Sequence, residues 1–174
     1  MRIFKLAQEA YQIAVDHGWH DRPRTPDEVL ALILTEAGEA VDEDRKANAL
    51  VYKGRSGKPE GVAVELADLC IRIMDAAGEF DAIEDLSIGY KTAEKYPNDQ
   101  TTLTTLVMDI AEVVGEARYC FVVLKNPSNA LHTLGWAISF IEDFCKTIKV
   151  DLETVIKEKM EFNKGRPHKH GKSY

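Results

Sequence analysis

Four acidic residues set into apolar stretches of helical period limit what this chain can become. Glu36-Ala37-Gly38-Glu39 and Glu65-Leu66-Ala67-Asp68 each carry two carboxylates at i, i+3, on one side of a helix and about one turn apart. The first pair lies in a segment whose apolar arc reads Leu30, Ile33, Leu34, Ala37 and Val41. Glu36, Glu39 and Glu43 fall on its flank, beside Val29 and Leu32, rather than on the opposite, solvated side. The second pair borders a stripe of Val62, Leu66, Leu69 and Ile73, and 25 residues separate the pairs. That gap holds the end of one helix, a loop and the start of the next. An antiparallel hairpin would bring all four carboxylates together, where they repel unless cations sit between them.

The rest of the chain has the same period. Ile3 to His17 reads as a helix ended by Gly18. Thr25-Pro26-Asp27-Glu28 is a helix start with the residues of a capping box, opening a helix to about Lys46. Tyr52 to Pro59 is a basic loop, followed by a helix from Glu60 to Ala77 that Gly78 closes. Further helices are expected from Asp81 to about Lys95, broken at Tyr96-Pro97-Asn98, then from Thr102 to Leu124 and from Ser128 to Ile148. Asp151 caps a last one to about Asn163. No strand alternation appears; the β-branched clusters at Val113-Val114 and Phe121-Val122-Val123 fall inside helical stripes. The expected fold is all-α, an antiparallel helical bundle forming one domain over 1–174. Within it, 17–95 is the metal-binding hairpin region, 100–163 a second helical half and 164–174 a basic tail. Gly38-Glu39-Ala40 recurs as Gly115-Glu116-Ala117, which suggests a degenerate internal repeat whose second half lacks the later acidic pair.

Composition excludes several classes. A formal net charge of −7 opposes nonspecific nucleic-acid binding, which a basic surface drives. No apolar run approaches a membrane span, and the N-terminal segment has no leader character, so a cytoplasmic protein is expected. Cys70, Cys120 and Cys145 each lie in an apolar helical stretch without a C-x-x-C pair, the pattern of buried reduced thiols. Oxygen-only ligands suit Mg²⁺, with Mn²⁺ as a substitute, and carboxylate-held Mg²⁺ usually takes phosphate oxygens from a substrate. Phosphoanhydride chemistry is the expectation.

E-x-x-E followed at this distance by E-x-x-D resembles the signature of the all-α nucleoside triphosphate pyrophosphohydrolases, the MazG-like superfamily. Gly18-Trp19-His20, the run from Leu30 to Ala40, the run from Lys58 to Asp68 and the tail from Lys159 to Lys172 are similar to its members as well. The resemblance covers 17–95 and 151–172; the stretch 97–150 is less typical of compact members. It implies Mg²⁺-dependent cleavage of a nucleoside triphosphate between the α and β phosphates, giving a monophosphate and pyrophosphate. Glu36, Glu39, Glu65 and Asp68 would hold the metal, and Glu36 or Glu39 would accept the proton of the attacking water. Lys159, Asn163 and Arg166 would contact phosphate and sugar. The resemblance also implies a homo-oligomer, a dimer or larger, although an internal duplication can supply the same cover.

Other readings stay open. The fold could act on a phosphoribosyl-linked nucleotide, or be a noncatalytic helical interaction module with surface ion pairs, such as Asp68 with Arg72 four residues on. A di-iron bundle would want E-x-x-H pairs, and His17 and His132 stand at no such spacing. Trp19 either stacks on a base or closes a helix end onto the core, whereas Trp136 belongs to the core. Lys53, Arg55 and Lys58 either meet phosphates or stay solvated; Pro59 after Gly57-Lys58 rules out a Walker A loop. Glu158-x-x-Glu161 has no acidic partner and reads as surface, and His168 and His170 as tail.

Overall fold

The computed structural model describes residues 1–55, 57–93 and 102–168. Among them are seven helices: α1 (Ile3–Asp16), α2 (Pro26–Arg45), α3 (Val62–Glu79), α4 (Ile83–Thr92), α5 (Leu103–Val122), α6 (Pro127–Thr147) and α7 (Leu152–Lys164). The expected end of the fourth helix at Lys95, the break at Tyr96-Pro97-Asn98 and His170 lie outside the described residues. No helix is long and apolar enough to cross a membrane, among the described residues.

Local chemistry explains most helix ends. Thr25 accepts from the Glu28 amide at 3.2 Å while the Thr25 amide donates to Glu28 Oε2 at 2.8 Å, so both halves of the capping box form. Gly18 sits at φ +78°, and its amide and that of Trp19 return to Val15 and Ala14. Other boundaries differ from expectation. α3 runs one residue past Gly78, which instead lets Tyr11 of α1 press onto the helix. Asp81 takes a left-handed φ of +54° after α3, a conformation a short polar side chain tolerates, and α4 starts at Ile83. Asn126 caps α6 at the Asn129 amide, so Pro127 is already helical. Asp151 occupies the N-cap of α7 but bonds the Thr154 hydroxyl rather than a backbone amide.

The basic loop also differs. Two-residue strands, β1 (Tyr52–Lys53) and β2 (Pro59–Glu60), pair antiparallel with Tyr52 opposite Glu60. Segments this short have no alternation to read. Their turn is closed by the Gly54 amide on the Lys58 carbonyl and by Gly57 at φ +77°.

α3 is the central element, buried on nearly every side because α1, α2, α6 and α7 all pack on it. α1 and α2 lie against α3, and α4 and α5 lie against α6. Between these groups α1 meets α4, α2 meets α5 and α3 meets α6. The α4/α6 crossing is close: a Cβ at Gly135 would stand 2.5 Å from the Leu86 carbonyl oxygen. Cys70, Cys120 and Cys145 are free, buried thiols, and burial pushes Cys145 up to about 12. Trp136 packs against the core edge-on to His132, with its indole Nε1 unpartnered among the described residues.

A candidate metal and phosphate site

α2 buries Val29, Leu30, Ile33, Glu36, Ala37, Ala40 and Glu43. The buried arc is displaced from the expected one: Leu34 is 42% exposed, and two glutamates lie in the buried face where a flank was expected. A three-residue step on an α-helix leaves side chains about 60° apart. Glu36 therefore falls into the seam with α3, and Glu39 stands exposed on its rim.

Across the seam α3 contributes Glu65, 4% exposed, and half-buried Asp68. One oxygen each of Glu36, Glu65 and Asp68 lie within 4.8 Å of one another. Glu39 is outside that cluster and lines the adjoining cleft. Burial, then the Asp68 charge, pushes Glu65 up to about 7 against the pull of Lys159 and Lys58. Burial also raises Glu36, with Arg72 opposing. Glu65 Oε2 is buried and has no hydrogen-bond partner among the described residues. An orphaned carboxylate oxygen beside two further carboxylates fits a hard divalent cation. Mg²⁺ holds oxygens at about 2.0–2.1 Å, so neighbouring ligands stand about 2.9 Å apart and these three would have to draw closer together around an ion.

Cations surround the acids. Lys159 of α7 is 1% exposed, and its Nζ stands 2.5 Å from Asp68 Oδ2 without an aligned hydrogen bond. Asn163, one turn on, has a buried Oδ1 with no partner among the described residues. Arg166 lines the same cleft, with burial lowering its pKa and Asp68 opposing. Lys159, Asn163 and Arg166 thus converge on the acid cluster, in keeping with their spacing. The Asp68–Arg72 pair does not form: Arg72 Nε donates across the seam to Glu36 Oε1 at 3.0 Å. Helix-to-helix register, which the sequence does not carry, decides that exchange of partners.

Trp19 lines the cleft and lies 6.0 Å from the Arg72 guanidinium. Ala10, Ile13 and Ala14 of α1, with Ile71 of α3, form an apolar wall beside it. The cleft therefore offers both charged side chains and an apolar surface suited to a flat ring. Of the loop cations, Lys58 reaches the cleft, while Lys53 and Arg55 are exposed. Glu158 and Glu161 are exposed, as expected of a surface pair. The His168 ring packs on Gly18 with Nε2 3.5 Å from Asp21, which folds the tail back beside Trp19.

Two constellations escaped the sequence reading. Asp75 and Glu79 of α3 bind His20 and Arg24 from the α1–α2 connection: His20 Nε2 to Asp75 at 2.7 Å, and Arg24 to Asp75 at 2.8 Å and Glu79 at 2.6 Å. Burial would lower His20, but its bonds to Asp75 and Glu79 outweigh it and raise the ring to about 9. Those bonds, with Arg24, hold Glu79 down to about 2 despite burial. The network pins Trp19 over the cleft, and its signal was Asp75 seven positions after Asp68, on the same helix face. The second is Glu43, which accepts from Asn48 at 3.1 Å, Lys46 at 3.0 Å and Tyr52 at 2.9 Å, tying the β-hairpin and hence Lys58 to α2.

No family model, no curated protein and no solved structure matches this chain.

Proposed function

We propose that the chain hydrolyses a nucleoside triphosphate to a nucleoside monophosphate and pyrophosphate, using Mg²⁺ or Mn²⁺ held by Glu36, Glu65 and Asp68. The observation that carries this reading is the buried, unpartnered Glu65 Oε2 within that cluster. Facing it are a buried lysine, an asparagine oxygen without a partner and an arginine. Carboxylates, cations and an apolar wall in one cleft suit a ligand that is polyanionic at one end and aromatic at the other.

A bound divalent cation supplies charge neutralisation for the phosphates and an acidified water. Lys159 and Arg166 stabilise the negative charge that shifts to the departing pyrophosphate. Asn163 orients the sugar or the first phosphate. Trp19 stacks on the base against the wall of Ala10, Ile13 and Ala14. Glu39 is the residue we assign to the water's proton: it stands on the rim, lines the cleft and has no hydrogen bond or ion pair among the described residues, whereas Glu36 is buried within the carboxylate cluster. Such positioned proton transfer contributes about 10²–10⁴-fold.

We also infer that α1–α3 and α4–α6 are two copies of one unit, the second without a comparable acid cluster among the described residues. α2 and α5 each span 20 residues and each starts on a capping threonine, Thr25 and Thr102. Aligned from those caps, six of the seven buried residues of α2, Val29, Ile33, Glu36, Ala37, Ala40 and Glu43, correspond to buried Leu106, Ile110, Val113, Val114, Ala117 and Cys120, and the seventh, Leu30, corresponds to half-buried Val107. Like helices meet like across the junction, as in a two-fold pair. Buried glutamates where the sister helix keeps valine and cysteine support a functional role, since a charge there costs stability. The homo-oligomer expected from the resemblance would then use another face, such as exposed Met108 and Tyr119 of α5 with Val123 at its C-cap.

The test is pyrophosphate release from ribo-, deoxyribo- and modified nucleoside triphosphates, with Mg²⁺ and with chelator. We expect Mg²⁺-dependent release from at least one, lost by about 10²-fold or more in Asp68→Asn and Glu39→Gln. Silence across the panel, with no effect of Mg²⁺ on melting, would leave a noncatalytic helical module.

A further inference from the structure

Arg72 has no place in the acidic motif, yet it lines the cleft. It follows Asp68 by one turn of α3 and its Nε donates to Glu36 at 3.0 Å. Its guanidinium stands beside Trp19, and its two terminal amino groups make no hydrogen bond among the described residues. Lys159 stands against Asp68 in the same way, close by but without an aligned bond. Two of the three clustered carboxylates thus have a resident cation, and the third has an oxygen with none.

A divalent cation entering the cluster meets this positive charge. Arg72 and Lys159 either stay and weaken its binding, or leave their carboxylates. Leaving requires another anion within reach, because an unpaired charge in a half-buried cleft is costly. A polyphosphate supplies that anion, and the open fork of Arg72 matches two phosphate oxygens at once. We propose that Arg72 is a phosphate-binding residue held in reserve by Glu36, and that Arg72 and Lys159 pass from carboxylate to phosphate as a divalent cation enters. Cation and polyphosphate then bind cooperatively, each strengthening the other by the same factor. This inference rests on reading the cluster as a divalent-cation centre. It deepens that reading by giving Arg72 a ligand and the site an interdependence.

The whole protein is titrated with Mn²⁺, with and without inorganic tripolyphosphate, which carries the phosphates and no base. Wild type should bind Mn²⁺ at least about tenfold more tightly with tripolyphosphate present, within the usual range of such couplings. Arg72→Met should bind Mn²⁺ alone more tightly than wild type, bind tripolyphosphate more weakly, and lose most of the coupling; Arg72→Lys should retain part of it. Mg²⁺ with tripolyphosphate should change Trp19 fluorescence as Arg72 leaves the ring, a change absent in Trp19→Phe. A purely structural counter-ion would give the opposite: weaker Mn²⁺ binding in Arg72→Met with the coupling unchanged. That result, or wild-type binding without coupling, overturns the proposal and leaves the metal site standing. No Mn²⁺ binding under either condition, with Glu65→Gln indistinguishable from wild type, overturns the metal site itself.

Discussion

Glu36 and Glu39 stand three positions apart on α2, and one is buried while the other is exposed. The acidic motif treats them alike; the seam does not, because about 60° of helix rotation separates a side chain in the interface from one on its rim. Glu65 is the most constrained of the group. Its carboxyl is pushed up to about 7, above its ordinary value, so folding favours its protonated form. The sign follows: its contribution to the metal-free protein is complete below about pH 4.5 and is lost as pH rises through 7. Glu65→Gln removes that liability. In chelator at pH 8, urea unfolding should show Glu65→Gln more stable than wild type, by at most roughly 3 kcal/mol, with the difference vanishing at pH 4.5. Equal stability at both values would mean that Glu65 already has a partner in the metal-free protein.

Helix ends were legible where the deciding chemistry is local. Thr25 and Glu28 satisfy each other's backbone groups within one turn, so the start of α2 is fixed by four residues. Gly78 misled because its role is tertiary, admitting Tyr11; Asp151 holds the N-cap expected of it but bonds a threonine hydroxyl instead of an amide. The same division separates the convergence of Lys159 with Asn163, set by one helix face, from the Arg72–Glu36 pair, set by how α2 and α3 slide. Glycines give the test at this scale. Gly135 of α6 faces the backbone of α4, where a Cβ would be 2.5 Å from both the Leu86 carbonyl oxygen and the Tyr90 amide nitrogen. Backbone cannot step aside, so Gly135→Ala should cost about 1–3 kcal/mol or more by forcing α4 and α6 apart. Gly115 on α5 has open space where a methyl group would stand, with nothing within 4 Å. Gly115→Ala should therefore stabilise by about 0.5–1 kcal/mol through helix propensity alone. Thermal unfolding of the two variants should move in opposite directions.

At the scale of the molecule, a carboxylate-bearing hairpin needs its apolar back covered. A lone unit of three helices would find that cover in a second chain, which is why the resemblance implies an oligomer. Here α2 meets α5, α1 meets α4 and α3 meets α6 within one chain, and a continuous buried core runs through all of them. Arg118 of α5 also reaches Asp27 at the start of α2, at 2.7 Å. The pair is exposed and adds little energy, but it marks the two helices as running in opposite directions. If the second half serves as the first half's partner, stability belongs to the single 19.5 kDa chain. An obligate dimer unfolds with a melting temperature that rises with concentration, because association is part of folding. This chain should melt at one temperature across about a hundredfold range of concentration, even where Met108, Tyr119 and Val123 bring copies together at the upper end. A midpoint that climbs with concentration would show that the core needs a second copy, and would withdraw the duplicated unit as the explanation of how the acidic site is supported.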